Sequence, residues 1–307
     1  MWTNRHRAAV FAGAHALGLF VGLPPAQAVQ ERIDDKRVAA VEPAPARQVR
    51  ASVARRAAYY AFDQGDFEAA AVMWSQCAEA GEAPCQSALA YMLMLGRGVE
   101  KDNAAAIALL TRAVEADDAY AALLLAVMHY YGTGEEGWEP DHARAFELFS
   151  KADRAGDPVA RAELGMMHLR GDGVPADRAK AIRLLLSAGK DGVPLALVRA
   201  GGLLREASPE KDLGAAASAF LMAAEMNFPS GMYFFAEMLR QGQGIKADRV
   251  EAMKWYLLAA EHPDADEAIK SLAARSVTLH KAQLSFWDFR RARTLAKTWL
   301  EQPDPDR

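Results

Sequence analysis

The chain has 307 residues, of which 36 are lysine or arginine and 40 are aspartate or glutamate, so its formal net charge is −4. This mildly acidic balance, without a basic stripe, is unfavourable for binding nucleic acid. The sequence also lacks a phosphate-binding loop, a dinucleotide fingerprint and a His-Glu-x-x-His zinc motif, so it predicts no cofactor and no metal.

Residues 1–28 have the pattern of a secretory signal peptide. Two early arginines precede a mostly apolar run over residues 8–23, and Ala26-Gln27-Ala28 offers a cleavage site of small residues. An uncleaved membrane anchor is the less favoured alternative, because the run is short for a span and Pro24-Pro25 would break its helix. We expect a periplasmic or secreted protein, cleaved near Ala28 and not stably inserted in a membrane.

The next segment, residues 29–52, mixes charges with prolines and shows no apolar period. It is interpreted as a flexible tether between the cleavage site and the first packed helix. A repeat region is expected over residues 53–283, followed by a capping helix and a tail over residues 284–307.

A helix–loop–helix pattern recurs within the repeat region. Its anchor is an aspartate, repeated at separations of 36, 39, 36, 35 and 36 residues: Asp66, Asp102, Asp141, Asp177, Asp212 and Asp248. Four residues after each Asp there is an alanine, which allows the helices to approach closely. Eight residues after each Asp there is a large apolar or aromatic residue, which fills the space beside the alanine. We expect each Asp to cap the start of a second helix. One helix pair cannot bury its own apolar face, so the pairs are expected to stack.

Four of the units carry Gly-x-Gly in the loop before the Asp, at positions 96/98, 132/134, 171/173 and 242/244. With these glycines, the pattern over most of residues 53–265 closely resembles the Sel1-like repeat, a relative of the tetratricopeptide repeat with a longer interhelical loop. The resemblance implies an all-α, right-handed α-solenoid of about six helix pairs with a C-terminal capping helix. It also implies that the chain binds other proteins and has no chemistry of its own.

Two cysteines, Cys77 and Cys85, flank the turn between the first and second units. In an exported chain, this spacing across a helix–turn–helix suits a disulfide. Secreted cysteine-rich Sel1-repeat proteins pair cysteines at this same position and spacing. The alternative is two small buried thiols.

Two units depart from the pattern. The third has an insertion in its loop that contains Trp138, which is expected either to contact a partner or to fold back onto its own repeat. The fifth replaces Gly-x-Gly with the loop 205–211, so a different turn is expected there.

Two further helices are predicted, from residue 264 to about 282 and from 286 to 301. The last directs Phe289, Leu295 and Trp299 inward, as expected of a terminal cap. Its basic residues either form a solvated outer face, which we favour, or a patch for acidic lipid or polymer: Arg290, Arg291, Arg293 and Lys297.

Signals for catalysis are weak. Ser187-x-x-Lys190 and Ser208-x-x-Lys211 match the nucleophile motif of β-lactamases, but the partner motifs of that family are missing. Some secreted Sel1-repeat proteins carry a β-lactamase label, so an envelope hydrolase is retained as a remote alternative. His129 and His168 occupy equivalent places in successive repeats; packing between repeats is favoured over a shared metal, because other repeats have leucine there.

The binding residues are expected on the first helix of each pair, which lines the concave side of such solenoids. Large amphipathic and basic side chains are selected because they dominate protein interfaces: Tyr91, Met94, Tyr120, Tyr130, Tyr131, Met166, Arg170, Tyr233 and Arg240. Replacing Tyr91, Tyr130 and Tyr233 with Ala is expected to weaken partner capture without unfolding the chain. The alternative for each residue is that it fills space between repeats.

The sequence thus predicts an exported scaffold or adaptor for a protein or peptide partner. The alternative in the same setting is a regulator of an envelope sensor or of a polysaccharide or motility machine. Deletion of the protein would distinguish the two. Loss of a regulator would change exopolysaccharide or motility, whereas loss of a scaffold would affect only an assembly.

Overall fold

The computed structural model describes residues 44–133, 138–206 and 208–301, and this part of the chain contains helices and no strand. The predicted signal peptide and residues 29–43 of the predicted tether lie outside it. In chain order the helices are α1 Ala44–Asp63, α2 Phe67–Glu79, α3 Ala83–Leu95, α4 Asn103–Glu115, α5 Ala119–Tyr131, α6 His142–Arg154, α7 Pro158–Arg170, α8 Arg178–Lys190, α9 Pro194–Arg205, α10 Leu213–Glu225, α11 Pro229–Gln241, α12 Arg249–Glu261, α13 Glu267–Lys281 and α14 Phe286–Glu301.

Helices α1 to α12 form six pairs, each with an odd-numbered first helix and an even-numbered second helix. The predicted all-α fold of about six helix pairs is confirmed. The contacts between helices divide the chain into two compact units. Unit 1 contains the described residues up to Ala160 together with Asp172–Val174, and unit 2 contains Arg161–Gly171 and the residues from Pro175 onward. Within unit 2, the last two helices, α13 and α14, both pack against α12.

Each anchor aspartate is the N-cap of a second helix, which confirms the predicted register. In all six, the side-chain oxygen accepts a hydrogen bond of 2.8–3.1 Å from the backbone N–H three residues later. Each such cap contributes about 1 kcal/mol, because it satisfies a backbone donor that the helix leaves unpaired. Helices α5, α7 and α13 have further caps that the repeat pattern did not predict, from Asp118, Asp157 and Asp266.

The small and large residues that follow each Asp are buried as predicted. The alanines at the fourth position are at most 1% exposed, and so are the large side chains at the eighth: Trp74, Leu110, Phe149, Leu185, Phe220 and Tyr256. Within unit 1, Trp74 also meets the rings of Tyr59 and Phe62 at centroid distances of 5.5 and 5.4 Å. These pairs form the apolar layer between first and second helices, where close packing stabilises the fold.

The second glycine of the Gly-x-Gly loop packs against the preceding repeat. Gly98 has φ +70°, and a Cβ atom there would lie 2.3 Å from the carbonyl carbon of Phe67, the first residue of α2. Gly244 has φ +71°, and a Cβ atom there would lie 2.0 Å from the carbonyl oxygen of Leu213, the first residue of α10. Both the backbone angle and the close approach therefore require glycine.

The fifth unit closes its loop without these glycines. The Asp212 N–H donates to the Leu204 carbonyl at 2.9 Å, as the Asp248 N–H does to the Leu239 carbonyl at 3.1 Å in the sixth unit. The fifth unit therefore has the same hydrogen bond between the end of its first helix and the N-cap of its second as the sixth unit has.

The described residues show the start of the first helix, the position of Trp138 and the bounds of the C-terminal helices. The first helix begins at Ala44 rather than at residue 53, so the last part of the predicted tether is helical. Trp138 folds back onto its own repeat, because its ring lies 5.0 Å from that of His129 and its Nε1 donates to the Met128 carbonyl at 3.4 Å. The C-terminal helices match the prediction to within three residues.

Cys77 and Cys85 are joined by a disulfide, which confirms the predicted pair. Both residues are fully buried, at the end of α2 and the start of α3. The bond therefore ties the first pair of helices to the second.

Candidate functional site

The predicted binding residues of unit 1 divide into buried and accessible ones. Tyr91 and Tyr130 are only 5% and 6% exposed. Burial raises the pKa of Tyr91, and the Tyr130 hydroxyl donates a hydrogen bond to Asp172. These two residues fill space between helices, so replacing them with Ala would open cavities of a kind that costs about 3–5 kcal/mol. The expectation that the triple Ala variant keeps its fold is not supported by this burial.

Three other predicted residues of unit 1 remain at the surface. Tyr131 is 53% exposed and packs edge-on against the Tyr130 ring at 4.8 Å. Met94 and Tyr120 are partly buried. Tyr131 is therefore accessible to a partner, and Met94 and Tyr120 are accessible in part.

Unit 2 carries a more continuous surface on its first helices. Helix α7 presents Glu163 and Arg170 at a spacing of seven residues, so that both lie on one helical face. Helix α9 presents residues 199, 202 and 205 on one face, and α11 presents Tyr233, Glu237 and Arg240 in the same manner. Of the predicted residues, Arg170 is exposed, Tyr233 and Arg240 are partly exposed, and Met166 is buried.

A buried carboxylate links the first two of these helices. The Glu163 side chain is 5% exposed, and its Oε1 lies 3.9 Å from Nη1 of Arg199, whose side chain is 33% exposed. Burial raises the pKa of Glu163 to about 7, although Arg199 and Arg170 both act to lower it. The carboxyl group therefore titrates close to neutral pH, and its charge determines how strongly Arg199 is held.

A second carboxylate organises α11. Glu237 accepts hydrogen bonds from Arg240 at 2.9 Å, from Gln241 at 2.7 Å and from the Tyr256 hydroxyl. Burial acts to raise the pKa of Glu237, but these hydrogen bonds together outweigh it and hold the pKa below its usual value. Burial and the bond to Glu237 raise the pKa of Tyr256. Glu237 and Arg240 thus form an ion pair to which the Tyr256 hydroxyl is also hydrogen-bonded.

The arginine of α9 that acts electrostatically on Tyr233 of α11 is Arg205. Its guanidinium lies 5.9 Å from the centroid of the Phe220 ring, and its charge acts on the pKa of Tyr233, which burial raises. The three first helices therefore present a row of accessible arginine and tyrosine side chains over two carboxylates, of which Glu163 is buried and Glu237 partly buried. Such a row can donate hydrogen bonds to carboxylate and carbonyl oxygens and can stack on planar groups.

Sequence reasoning missed Glu163, Arg199, Arg205 and Glu237. The available signal was the presence of acids on helix faces that are otherwise apolar, each at helical spacing from an arginine. A buried acidic side chain needs a charged or hydrogen-bonding partner, so these acids indicated that arginines would also lie on this surface.

The other sequence candidates lie elsewhere. Ser187 accepts a hydrogen bond of 3.2 Å from Arg161, which also pairs with Asp191.

The carbonyl oxygens of His129 and His168 accept from the N–H groups of Asp141 and Asp177, so both histidines occupy the loop-closing position held by leucine in other repeats. Burial lowers the pKa of each imidazole. Among the described residues, no three His, Cys, Asp or Glu side chains are grouped so as to hold a metal ion.

None of the helices in the described part of the chain combines the length and the apolar character that a membrane crossing requires.

Comparison with known proteins agrees with this architecture. The Sel1 repeat family model matches residues 83–118, 119–157, 158–193 and 229–264. The fifth unit, which lies between the last two matches, has no Gly-x-Gly in its loop. No curated protein matches the chain significantly.

The solved structures that are similar to the chain include two from bacteria. A Sel1 repeat protein from Oxalobacter formigenes superposes with a TM-score of 0.65 at 22% identity, over 79% of this chain and 98% of that one. A protective antigen of uropathogenic Escherichia coli with an SLR fold has a TM-score of 0.47 at 18% identity, over 83% of this chain and 62% of that one. The repeat spacing, the caps and the matched segments agree, and the chain belongs to the Sel1 repeat family.

Proposed function

We propose that this chain is an exported scaffold that binds a protein partner along one face of unit 2. Sel1 repeat proteins typically mediate protein interactions. The proposed surface, called here the first-helix surface, consists of Arg170, Arg199, Gly202, Arg205, Tyr233 and Arg240. The observation that carries the proposal is that carboxylates hold arginines on two neighbouring first helices: Glu163 lies beside Arg199 of α9, and Glu237 binds Arg240 of α11.

The residue types and their fixation favour a protein over a small ligand. Arginine and tyrosine bury much area and are enriched where protein interfaces gain most of their free energy. An arginine that is already oriented by Glu163 or Glu237 loses less side-chain entropy on binding than a free one. The row spans α7, α9 and α11, which suits an extended or helical segment of a partner.

Export is supported by two independent features. The predicted signal peptide over residues 1–28 directs the chain out of the cytoplasm. The Cys77–Cys85 disulfide suggests an oxidising compartment. The proposed location is the periplasm or the exterior of the cell.

Site-specific photocrosslinking tests the proposed surface. A photoreactive phenylalanine analogue is placed at Arg170 or at Gly202, where a Cβ atom would meet open space. The matched control is Arg183, an exposed residue on the second helix α8. The full-length chain is irradiated in its native cells, and adducts are identified by mass spectrometry.

We expect the same partner in adducts from positions 170 and 202 and its absence from position 183. Equal yields from all three positions, or no adduct from either first-helix position, would contradict the proposal. Finding the adducts in the cytoplasmic fraction would contradict export and leave the surface assignment intact.

A further inference from the structure

A large cleft in the described part of unit 2 lies apart from the first-helix surface. It has a volume of about 1090 Å3 and lies between α14 and the C-terminal end of α12. Apolar side chains form much of its wall, among them Leu257, Phe289 and Trp299. Two more, Phe286 and Leu300, are 72% and 60% exposed, so the cleft offers apolar surface that remains in contact with water.

One flank of this cleft is cationic. Arg290, Arg293 and Lys297 follow each other at helical spacing on α14, and Lys281 joins them from the end of α13. The opposite wall contributes Glu261. Lys297 also lies 3.6 Å from Glu301, but both side chains are exposed, so this pair is weak. The cleft thus has an excess of positive charge in a chain whose net charge is −4.

We propose that this cleft binds an acidic amphipathic peptide segment of a protein partner. The exposed apolar wall would take the partner's leucine or aromatic side chains, and the flank of α14 would pair with carboxylates beside them. The volume is slightly above the range of roughly 300–1,000 Å3 that suits small molecules, which favours a segment with several side chains. A flat lipid surface fits less well, because the cations face a concavity.

The test is a selection from a displayed library of random 16-residue peptides on the full chain. Selected peptides are synthesised, and their affinity is measured by fluorescence anisotropy for three proteins. These are the unmodified chain, the variant R293E/K297E and the control R291E, whose altered residue is exposed on α14 but does not line the cleft.

We expect the selected peptides to combine Asp or Glu with Leu, Phe or Trp and to bind R293E/K297E about tenfold more weakly or worse. Binding to R291E should be close to that of the unmodified chain, and high salt should weaken all binding. Circular dichroism shows whether the variants are folded, and an R170E variant should bind these peptides normally because the first-helix surface is separate.

Three outcomes would overturn the proposal. The first is a selection that enriches no peptide, and the second is one that enriches peptides without acidic residues. The third is equal binding to R293E/K297E and R291E. As a separate arm, sedimentation with phosphatidylglycerol vesicles that is lost in R293E/K297E, without peptide binding, would assign the cleft to a membrane surface instead.

Discussion

Arg178, the first residue of α8, donates a hydrogen bond of 2.8 Å to the carbonyl oxygen of Leu203 near the end of α9. It also pairs with Glu206 at 2.8 Å and lies 3.6 Å from Glu210. Where the next loop carries Gly98, Gly173 or Gly244, that glycine contacts the backbone of the first residue of the preceding second helix. The arginine therefore makes a side-chain contact where those repeats make a backbone contact.

Removing this arginine should weaken unit 2. Because Arg178 is only partly exposed and bonds both a carbonyl and a carboxylate, we expect Arg178→Ala to lower the free energy of unfolding by about 2 kcal/mol. Arg183→Ala, an exposed change on the same helix, should alter it by less than about 0.5 kcal/mol. Urea titration followed by circular dichroism gives both values, and equal effects would refute the assigned role.

Two adjacent glycines of α9 should respond in opposite ways to alanine. A Cβ atom at Gly201 would lie 2.7 Å from the buried Phe220 ring, whereas one at Gly202 would meet nothing within 4 Å. We expect Gly201→Ala to destabilise by about 1–3 kcal/mol through overpacking. Gly202→Ala should stabilise by about 0.5–1 kcal/mol, because alanine restricts the unfolded chain. Thermal melting of both variants tests this prediction. A change of the same sign in both melting temperatures would contradict the packing described for α9.

The burial of Glu163 should make stability depend on pH. Its pKa in the folded chain is about 7, above the usual 4.5, so the folded state holds a proton that the unfolded state releases between these values. Stability from this residue is therefore greatest below about pH 4.5 and is lost as the pH rises through 7. The described histidines with lowered pKa, such as His168 and His262, act in the opposite direction.

Glu163→Gln isolates this contribution from the other titrating groups. As the pH rises from 5 to 8, the free energy of unfolding of the variant should increase by up to about 3 kcal/mol relative to that of the unmodified chain. The control Glu225→Gln, an exposed change on α10, should show no such increase in its free energy of unfolding over the same interval. Unfolding curves at both pH values provide the comparison, and parallel behaviour of the two variants would exclude a buried titrating carboxyl at position 163.

The disulfide should stabilise the folded chain measurably. The two cysteines are separated by 8 residues, and closing a loop of that size contributes about 2.5 kcal/mol by the chain-entropy relation. We expect the double variant C77A/C85A to lose about this amount, and reductant to lower the melting temperature of the unmodified chain but not of the variant. Mass spectrometry of the exported protein after alkylation without reductant tests the bond itself, and full alkylation would disprove it.

The sequence was informative where structure depends on near neighbours. An Asp cap needs only the side chain and an N–H three residues later, so the spacing of the aspartates predicted all six second-helix starts. Burial of Tyr91 and Tyr130 was not predictable from helical periodicity, because it depends on which other helix covers that face. The pair of Glu163 and Arg199 was missed for a similar reason, since its partners lie one repeat apart in sequence.

The glycine contacts between repeats join one main chain to another. Gly98 meets the backbone of Phe67, Gly173 that of His142 and Gly244 that of Leu213, so three different side chains stand at the contacted position. A contact of this kind places no requirement on the side chain at that position, so it can persist while the sequences of the two repeats diverge. The contact that Arg178 makes is more constrained, because the next loop has to supply carboxylates for it.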